Sequence, residues 1–248
     1  MKGFEGNKTL LPLTFGQSPL EGRRPILLYI LSNLPRGPKA IVVNHKKEDV
    51  IDATQFLGLT YCDQPLLNGT GGALLASRGF LEAQEKNQLI ITMGDVPFVK
   101  YSTYLNLIKG LKYNSLVALG FRPVDKKQYG VLEIDGENVK KIIEWKYWRT
   151  YSKEKQKQFQ ICNSGIYSAR KRDLIRYLPI LEKNPHMVTK EVEGKMVEVK
   201  EFFITDLVEL MGENGLKVGY IIAEDENEVM GVDDLSSLKK AQKKFKGS

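Results

Sequence analysis

The sequence predicts an α/β domain built on a mostly parallel, mixed sheet with helices on both faces. Three observations support this. Apolar runs of strand length alternate with longer segments of helical period, as strand–helix–strand units do. The chain's 248 residues are about the size of one large domain of this class or two small ones. With 42% hydrophobic and 27% charged residues, it can bury an ordinary core, which excludes disorder as its global state.

The apolar run Pro25–Leu31 fits a strand or an amphipathic helix. Ala40–Asn44 reads as a strand and Glu48–Leu57 as the helix after it. Across Gly72–Ala83, residues Ala73, Leu74, Ala76, Phe80 and Leu81 keep helical spacing. Gln88–Met93 is an apolar strand that ends in Gly94-Asp95; Tyr101–Leu111 is helical, and Ser115–Gly120 is a strand. From Tyr129 the pattern changes. Tyr129–Asn138 alternates around an Asp135-Gly136 turn and Val139–Glu144 returns, a hairpin signature. Val218–Ile222 is a later strand. No repeat or Pro/Gly/Ser linker divides the chain, so one domain with inserted antiparallel strands is the simplest organisation.

Composition excludes several kinds of chemistry. Cys62 and Cys162 form no CxxC and read as buried small hydrophobes rather than a disulfide or thiolate site. His45 and His186 are the only histidines and share no metal-binding spacing, which argues against a histidine zinc centre or a serine triad. The net charge is +7, concentrated at Lys153–Lys157 and Lys239–Lys246. These runs read as solvated helix faces, and without interleaved aromatics they do not point to nucleic acid. No stretch reaches the length of a membrane span, and no basic-then-apolar leader is present. A soluble, cytoplasmic protein is expected, with no nucleic-acid or membrane partner and an oligomeric state that the sequence leaves open.

Three motifs carry chemistry. Asn68-Gly-Thr-Gly-Gly-Ala73, at a helix start, offers backbone N–H groups to a phosphate or a base edge; a purely structural glycine turn is the alternative. It lacks both the Walker and the dinucleotide spacing. Met93-Gly-Asp-Val-Pro97 places Asp95 just past a buried strand, where ligands bind in such sheets, either holding Mg²⁺ or capping the next helix. Gly231-Val-Asp-Asp234 offers a second carboxylate, with Asp234 the better cap.

In this order and spacing these pieces resemble the nucleotidyltransferases that join sugar 1-phosphates to NTPs. Within that family they are similar to the uridylyltransferase domain of bacterial N-acetylglucosamine-1-phosphate uridylyltransferases. The matching residues include Asn7–Leu13, Gly22–Leu27, Gln64, Gly69-Thr-Gly71, Gly94–Pro97, Tyr129-Gly130, Ile143–Lys146, Asn163–Ile166, Phe203–Asp206 and Gly231–Asp233. The resemblance implies a Rossmann-like sheet of the nucleotide-diphospho-sugar transferase type. Residues 1–248 would be one domain: about 1–125 the nucleotide-binding half, about 126–230 the sugar-binding half, and 231–248 a C-terminal helix.

The resemblance also implies roles, with an NTP and a sugar 1-phosphate as the small-molecule partners. Gln64 would read the uracil edge, with Gly69 and Thr70 packed on the base. Asp95 and Asp233 would hold Mg²⁺, the expected cofactor, and Lys8 would bind phosphate. Gly130, Glu144, Asn163 and Thr205 would meet the sugar. Three departures accompany the likeness. The family's opening strand and glycine-rich signature loop, about ten to fifteen residues by ordinary strand and loop lengths, have no counterpart. Gly71-Gly72-Ala73 stands where the acetylglucosamine enzymes usually carry Gly-His-Ala. No hexapeptide-repeat domain is expected after the C-terminal helix. The alternatives are another base or sugar specificity, or a catalytically degenerate nucleotide-binding or scaffold relative.

Overall fold

In a computed structural model the described residues are 4–192 and 195–247. The strands are β1 (Pro12–Phe15), β2 (Gly22–Pro25), β3 (Ala40–Val43), β4 (Thr60–Asp63), β5 (Gln88–Ile91), β6 (Leu116–Phe121), β7 (Val131–Asp135), β8 (Asn138–Ile143), β9 (Cys162–Arg170), β10 (His186–Val192), β11 (Lys195–Glu201) and β12 (Val218–Ile222). The helices are α1 (Ile26–Asn33), α2 (Lys47–Thr54), α3 (Gly69–Ala76), α4 (Arg78–Ala83), α5 (Tyr101–Gly110), α6 (Trp145–Trp148), α7 (Lys153–Gln158), α8 (Lys171–Lys183), α9 (Asp206–Glu213) and α10 (Leu235–Lys246).

The central sheet is mixed, in the order β12-β6-β9-β7-β8, with β5 also paired to β9. Strands β5, β6, β7 and β12 run one way, and β8 and β9 the other. β9 is the hub: β6 pairs along one edge, while β5 and β7 share the other, Ile91 opposite Tyr167 and Val131 opposite Cys162. β6 is buried along its whole length, and its alternating side chains feed two cores. Leu116 and Ala118 pack with α8 and α9 through Leu174, Leu178, Leu207 and Met211. Val117, Leu119 and Phe121 pack with Tyr104 and Leu107 of α5 and with Leu111 just after it. The expected helices on both faces are therefore present.

A separate parallel pair, β3 with β4, stands apart from that sheet. The second edges of β3 and β5 carry no strand partner among the described residues, and Ile41, Val42, Ile90 and Ile91 are only partly buried. A third core joins the segments on which the site is built: Leu11 and Leu13 from β1 and its approach, Ile26 and Ile30 from α1, Phe98, Val232, and Leu238 and Ala241 from α10.

Two local differences from the expected elements have physical reasons. The helix expected over Gly72–Ala83 is two helices. Ser77, whose hydroxyl donates to Leu74 O at 2.7 Å, turns the chain between α3 and α4, and α3 starts three residues early, at Gly69. The hairpin closes at Gly136-Glu137, with Gly136 at φ +59°. The two lysine runs lie on α7, which buries nothing, and on the outer side of α10. Cys62 and Cys162 are free and buried. Among the described residues no helix is long and apolar enough to cross a membrane.

Candidate functional site

Lys8 opens a short turn, Lys8–Leu10, that follows Asn7. The Asn7 side chain accepts from Thr9 N at 3.0 Å and donates to His45 O at 2.8 Å. The Lys8 ammonium donates to Asp95 Oδ2 at 2.6 Å and to Asp233 Oδ1 at 2.8 Å, so one cation spans two carboxylates far apart in sequence. Burial works against the charged ammonium, but the two aspartates outweigh it and raise its pKa above the usual lysine value.

The capping alternatives resolve in favour of this pairing. Lys100, not Asp95, is the N-cap of α5. Asp234, not Asp233, caps α10, its carboxylate accepting from Ser237 N at 2.7 Å. Neither Asp95 nor Asp233 is used up by helix geometry. Their segments are stitched together by Val232 N donating to Asp95 O at 2.9 Å, with Val232 itself fully buried. Among the described residues no group of three or more His, Cys, Asp or Glu side chains forms a metal cage. The donor set is two hard carboxylate oxygens within reach of one ammonium.

The sugar-side candidates gather at the carboxyl end of β6. Gly120 lies opposite Asn163, Phe121 and Val131 both lie opposite Cys162, and Val131 lies opposite Ile143. That register sets Gly130, Glu144 and Asn163 side by side. Asn163 N donates to Gly130 O at 2.8 Å, and the Asn163 amide donates to the buried Tyr167 hydroxyl at 2.8 Å. A Cβ on Gly130 would stand 3.5 Å from Glu144 Oε2. The Thr205 hydroxyl donates to Glu144 Oε1 at 3.1 Å. Burial pushes the Glu144 carboxyl above its ordinary pKa; the Thr205 hydrogen bond pulls it down, Asp206 raises it, and Lys146 and His186 lower it.

Sequence reasoning left out three neighbours. Tyr129 precedes Gly130, and burial, then the charges of Asp233, Cys162 and Asp95, raises its pKa. It therefore stays protonated, close enough to the aspartate pair to feel both charges. His186 pairs with Asp206 at 2.9 Å and meets the Phe203 ring edge-on at 5.0 Å. Tyr129 and Phe203 stood inside the matched motifs, which was the available signal. Nothing in the sequence marked His186 beyond its rarity.

On the nucleotide side, Gln64 is buried beyond β4. Its amide donates to Asn68 Oδ1 at 2.8 Å and to Gly69 O at 3.1 Å. The glycines that follow are required by close approach of the chain. At Gly69, which has φ +91°, a Cβ would fall 2.4 Å from Phe202 O; at Gly71 it would fall 2.7 Å from the Phe202 carbonyl carbon. Gly71 N donates to Phe202 O at 2.8 Å, Phe202 N to Asn68 O at 2.9 Å, and Ile204 N to Thr70 Oγ1 at 3.2 Å. The glycine loop is thus zipped to the segment that ends in Thr205, and the Thr70 hydroxyl serves that joint. The candidates form two groups: Gln64, Gly69 and Thr70 joined through 202–205 to the sugar side, and Lys8, Asp95 and Asp233, whose segment meets the sugar side where Gly165 packs on Met93.

No protein-family model matches the chain. The bifunctional protein GlmU of Hydrogenobaculum sp. (strain Y04AAS1) is 30% identical over 238 residues, covering 90% of this chain and 48% of that protein. The GlmU of Campylobacter jejuni (strain RM1221) is 32% identical over 213 residues, covering 82% and 43%. The chain spans about half the length of the curated relatives it matches. Among solved structures, one described as a glucose-1-phosphate thymidylyltransferase of Bacillus anthracis superposes with a TM-score of 0.66 at 19% identity, over 96% of this chain and 86% of that one. One described as a UDP-N-acetylglucosamine pyrophosphorylase of Entamoeba histolytica gives 0.69 at 15% identity, over 94% and 72%. At such identities the structures speak for the fold. In sequence the chain is similar to the bifunctional GlmU proteins, and its fold is that of the nucleotide-diphospho-sugar transferases.

Proposed function

We propose that the chain transfers a uridylyl group from UTP to N-acetylglucosamine 1-phosphate, giving the nucleotide sugar and pyrophosphate. The observation that carries this reading is that the Lys8–Asp95–Asp233 group and the Gly130–Glu144–Asn163–Thr205 group sit on segments that touch, Gly165 against Met93. One suits phosphates and the other hydroxyls, and both lie at the carboxyl ends of the central strands, where ligands bind in open α/β sheets.

The base choice is supported by the orientation of Gln64. Both of its amide hydrogens find acceptors, Asn68 Oδ1 and Gly69 O, whereas a flipped amide would turn its oxygen on those same acceptors. The carbonyl oxygen is the face left to a base. It suits the N3–H donor of uracil or thymine and repels the N3 acceptor of cytosine.

A sugar phosphate arrives as an anionic nucleophile, so the chain needs no base to activate it. Its task is to hold the attacking oxygen in line with the α-phosphorus and to offset the charge that develops. Glu144, steadied by Thr205, would accept a sugar hydroxyl, with the Asn163 side chain and the Gly130 backbone beside it. Lys8 would neutralise phosphate oxygens. The two carboxylates fit Mg²⁺, which takes one or two carboxylates and completes its shell with water and substrate oxygens. Asp95 and Asp233 would hold it, and bound there it would supply charge neutralisation at the phosphates.

The test is pyrophosphate release with Mg²⁺ across UTP, TTP, CTP and GTP paired with a panel of sugar 1-phosphates. Release with UTP and N-acetylglucosamine 1-phosphate supports the proposal in full, and release with another pair revises its specificity. A folded chain that binds UTP yet releases nothing across the grid overturns it in favour of a nucleotide-binding scaffold.

A further inference from the structure

Glu228 is a buried acid, 1% exposed, to which the proposed chemistry gives no task. It ends a short turn, Glu226–Glu228, after β12. Its Oε1 accepts from Lys100 N at 3.0 Å and from the Thr103 hydroxyl. Its Oε2 is buried and has no hydrogen-bond partner among the described residues; the Lys100 ammonium, 4.0 Å away, lies closer to Glu224, at 3.1 Å. A buried carboxylate oxygen without a donor is costly, and a native protein that carries one needs a reason.

The reason lies in what the other oxygen joins. Lys100 and Thr103 begin α5, whose N-cap has no side-chain cap of its own, so a carboxylate 125 residues distant in sequence from Thr103 is supplied at the positive end of that helix. The segment from Asp95 to Lys100 and the segment from Glu228 to Asp233 run between the same two ties. Val232 N to Asp95 O closes one end at 2.9 Å, and Glu228 on Lys100 and Thr103 closes the other. Each segment carries one of the aspartates that grip Lys8. The neighbouring acids pin the same turn more loosely and at the surface: Glu226 accepts from Val124 N at 3.1 Å, and Glu224 pairs with Lys100.

We infer that Glu228 is a positioning residue for the divalent-cation site. By accepting from Lys100 N–H and the Thr103 hydroxyl together, it holds the two carboxylate-bearing segments at the separation a cation needs. The inference rests on the reading of Asp95 and Asp233 as the cation's ligands. Loss of a group that orients a metal's ligands lowers affinity by about 10- to 100-fold, and Glu228 orients them through the segments that carry them.

The test is Mn²⁺ binding to the full chain, followed by the loss of the free-ion electron paramagnetic resonance signal at a temperature well below each variant's melting point. Wild type should bind one Mn²⁺ and Asp95→Ala none. Glu228→Ala should bind at least about 10-fold more weakly, while Glu228→Gln, which keeps the accepting oxygen, should recover most of the affinity. Thr103→Val, which removes one of the two donors and keeps the side-chain shape, should weaken binding by a smaller factor and serves if Glu228→Ala does not fold. Wild-type affinity in folded Glu228→Ala, or in Thr103→Val, makes Glu228 a structural residue only and overturns the inference. Absence of Mn²⁺ binding by folded wild type overturns the reading of the two aspartates itself, and the inference with it.

Discussion

Gly72→Ala separates stability from base recognition. A Cβ added to Gly72 would lie 1.8 Å from Asn68 Oδ1 and 2.5 Å from its Cγ, so the Asn68 side chain must leave. It is half-exposed and can rotate into solvent. Leaving breaks the 2.8 Å bond from Gln64, a net loss of about 1 kcal/mol. Alanine for glycine inside α3 returns about the same, roughly 1 kcal/mol. Urea unfolding should therefore place the variant within about 1 kcal/mol of wild type. Base recognition has no such compensation, because the Gln64 amide is left with Gly69 O alone to orient it. The ratio of UTP to CTP affinity, measured by titration calorimetry, should fall about tenfold, equivalent to about 1.4 kcal/mol. Asn68→Ala should shift the ratio the same way, and the double variant should match the singles rather than add to them, since both act through one bond. An unchanged ratio in a stable Gly72→Ala refutes the claim that Asn68 orients the reading amide. A stability loss above about 3 kcal/mol refutes the claim that Asn68 can move aside.

Three further predictions concern single positions. Gly69→Ala combines φ +91° with a Cβ 2.4 Å from a backbone oxygen that cannot rotate away; it should cost at least about 2 kcal/mol in urea, and a wild-type midpoint would contradict the zipped joint to Phe202. Burial raises the Glu144 pKa in the folded state, so its contribution to stability is full below the unfolded value and is lost as pH rises through the folded one. Glu144→Gln lacks that penalty and should gain stability relative to wild type between pH 4 and pH 7; a gap independent of pH would remove the burial argument. Asp95→Asn leaves Lys8 with Asp233 as its one full carboxylate partner and should lower pyrophosphate release by at least about 100-fold at near wild-type melting temperature. Full activity there would take Asp95 out of the chemistry.

What could be read from the sequence follows the apolar pattern. β6 was legible because a strand covered on both faces is a continuous apolar run, β5 because Leu89, Ile90 and Ile91 form such a run although they are only partly buried, and Asp95 because a carboxylate just past such a strand has a place in this class of fold. β9, the hub of the sheet, was not read as a strand, because Asn163, Ser164, Gly165 and Ser168 interrupt its apolar pattern. Those polar groups are tolerated at the centre because each finds a partner: the Ser164 hydroxyl donates to Leu119 O and the Ser168 hydroxyl to Leu107 O, both at 2.7 Å. The hairpin of β10 and β11, which begins at His186, was not anticipated either. The glycines at 69–72 advertised close approach, but not that the approaching group is the backbone of Phe202. Glu228 gave no signal, since one acid in an acidic turn has no pattern until the fold brings α5 against it.

The bond between Lys8 and Asp233 spans 225 positions, and the Gln242 amide donates to Pro12 O across 230. β12 completes the parallel edge beside β6 from about a hundred positions later, Val218 opposite Leu116. Such a network has high contact order and forms slowly, because every closing loop is long. During synthesis, which runs from the N-terminus, Lys8 and Asp95 emerge long before Val232 and Asp233, which fix them. No nascent chain shorter than Asp233 can hold the paired carboxylates. The paired grip on Lys8 therefore forms only when the segment that leads into α10 has come to pack against β1.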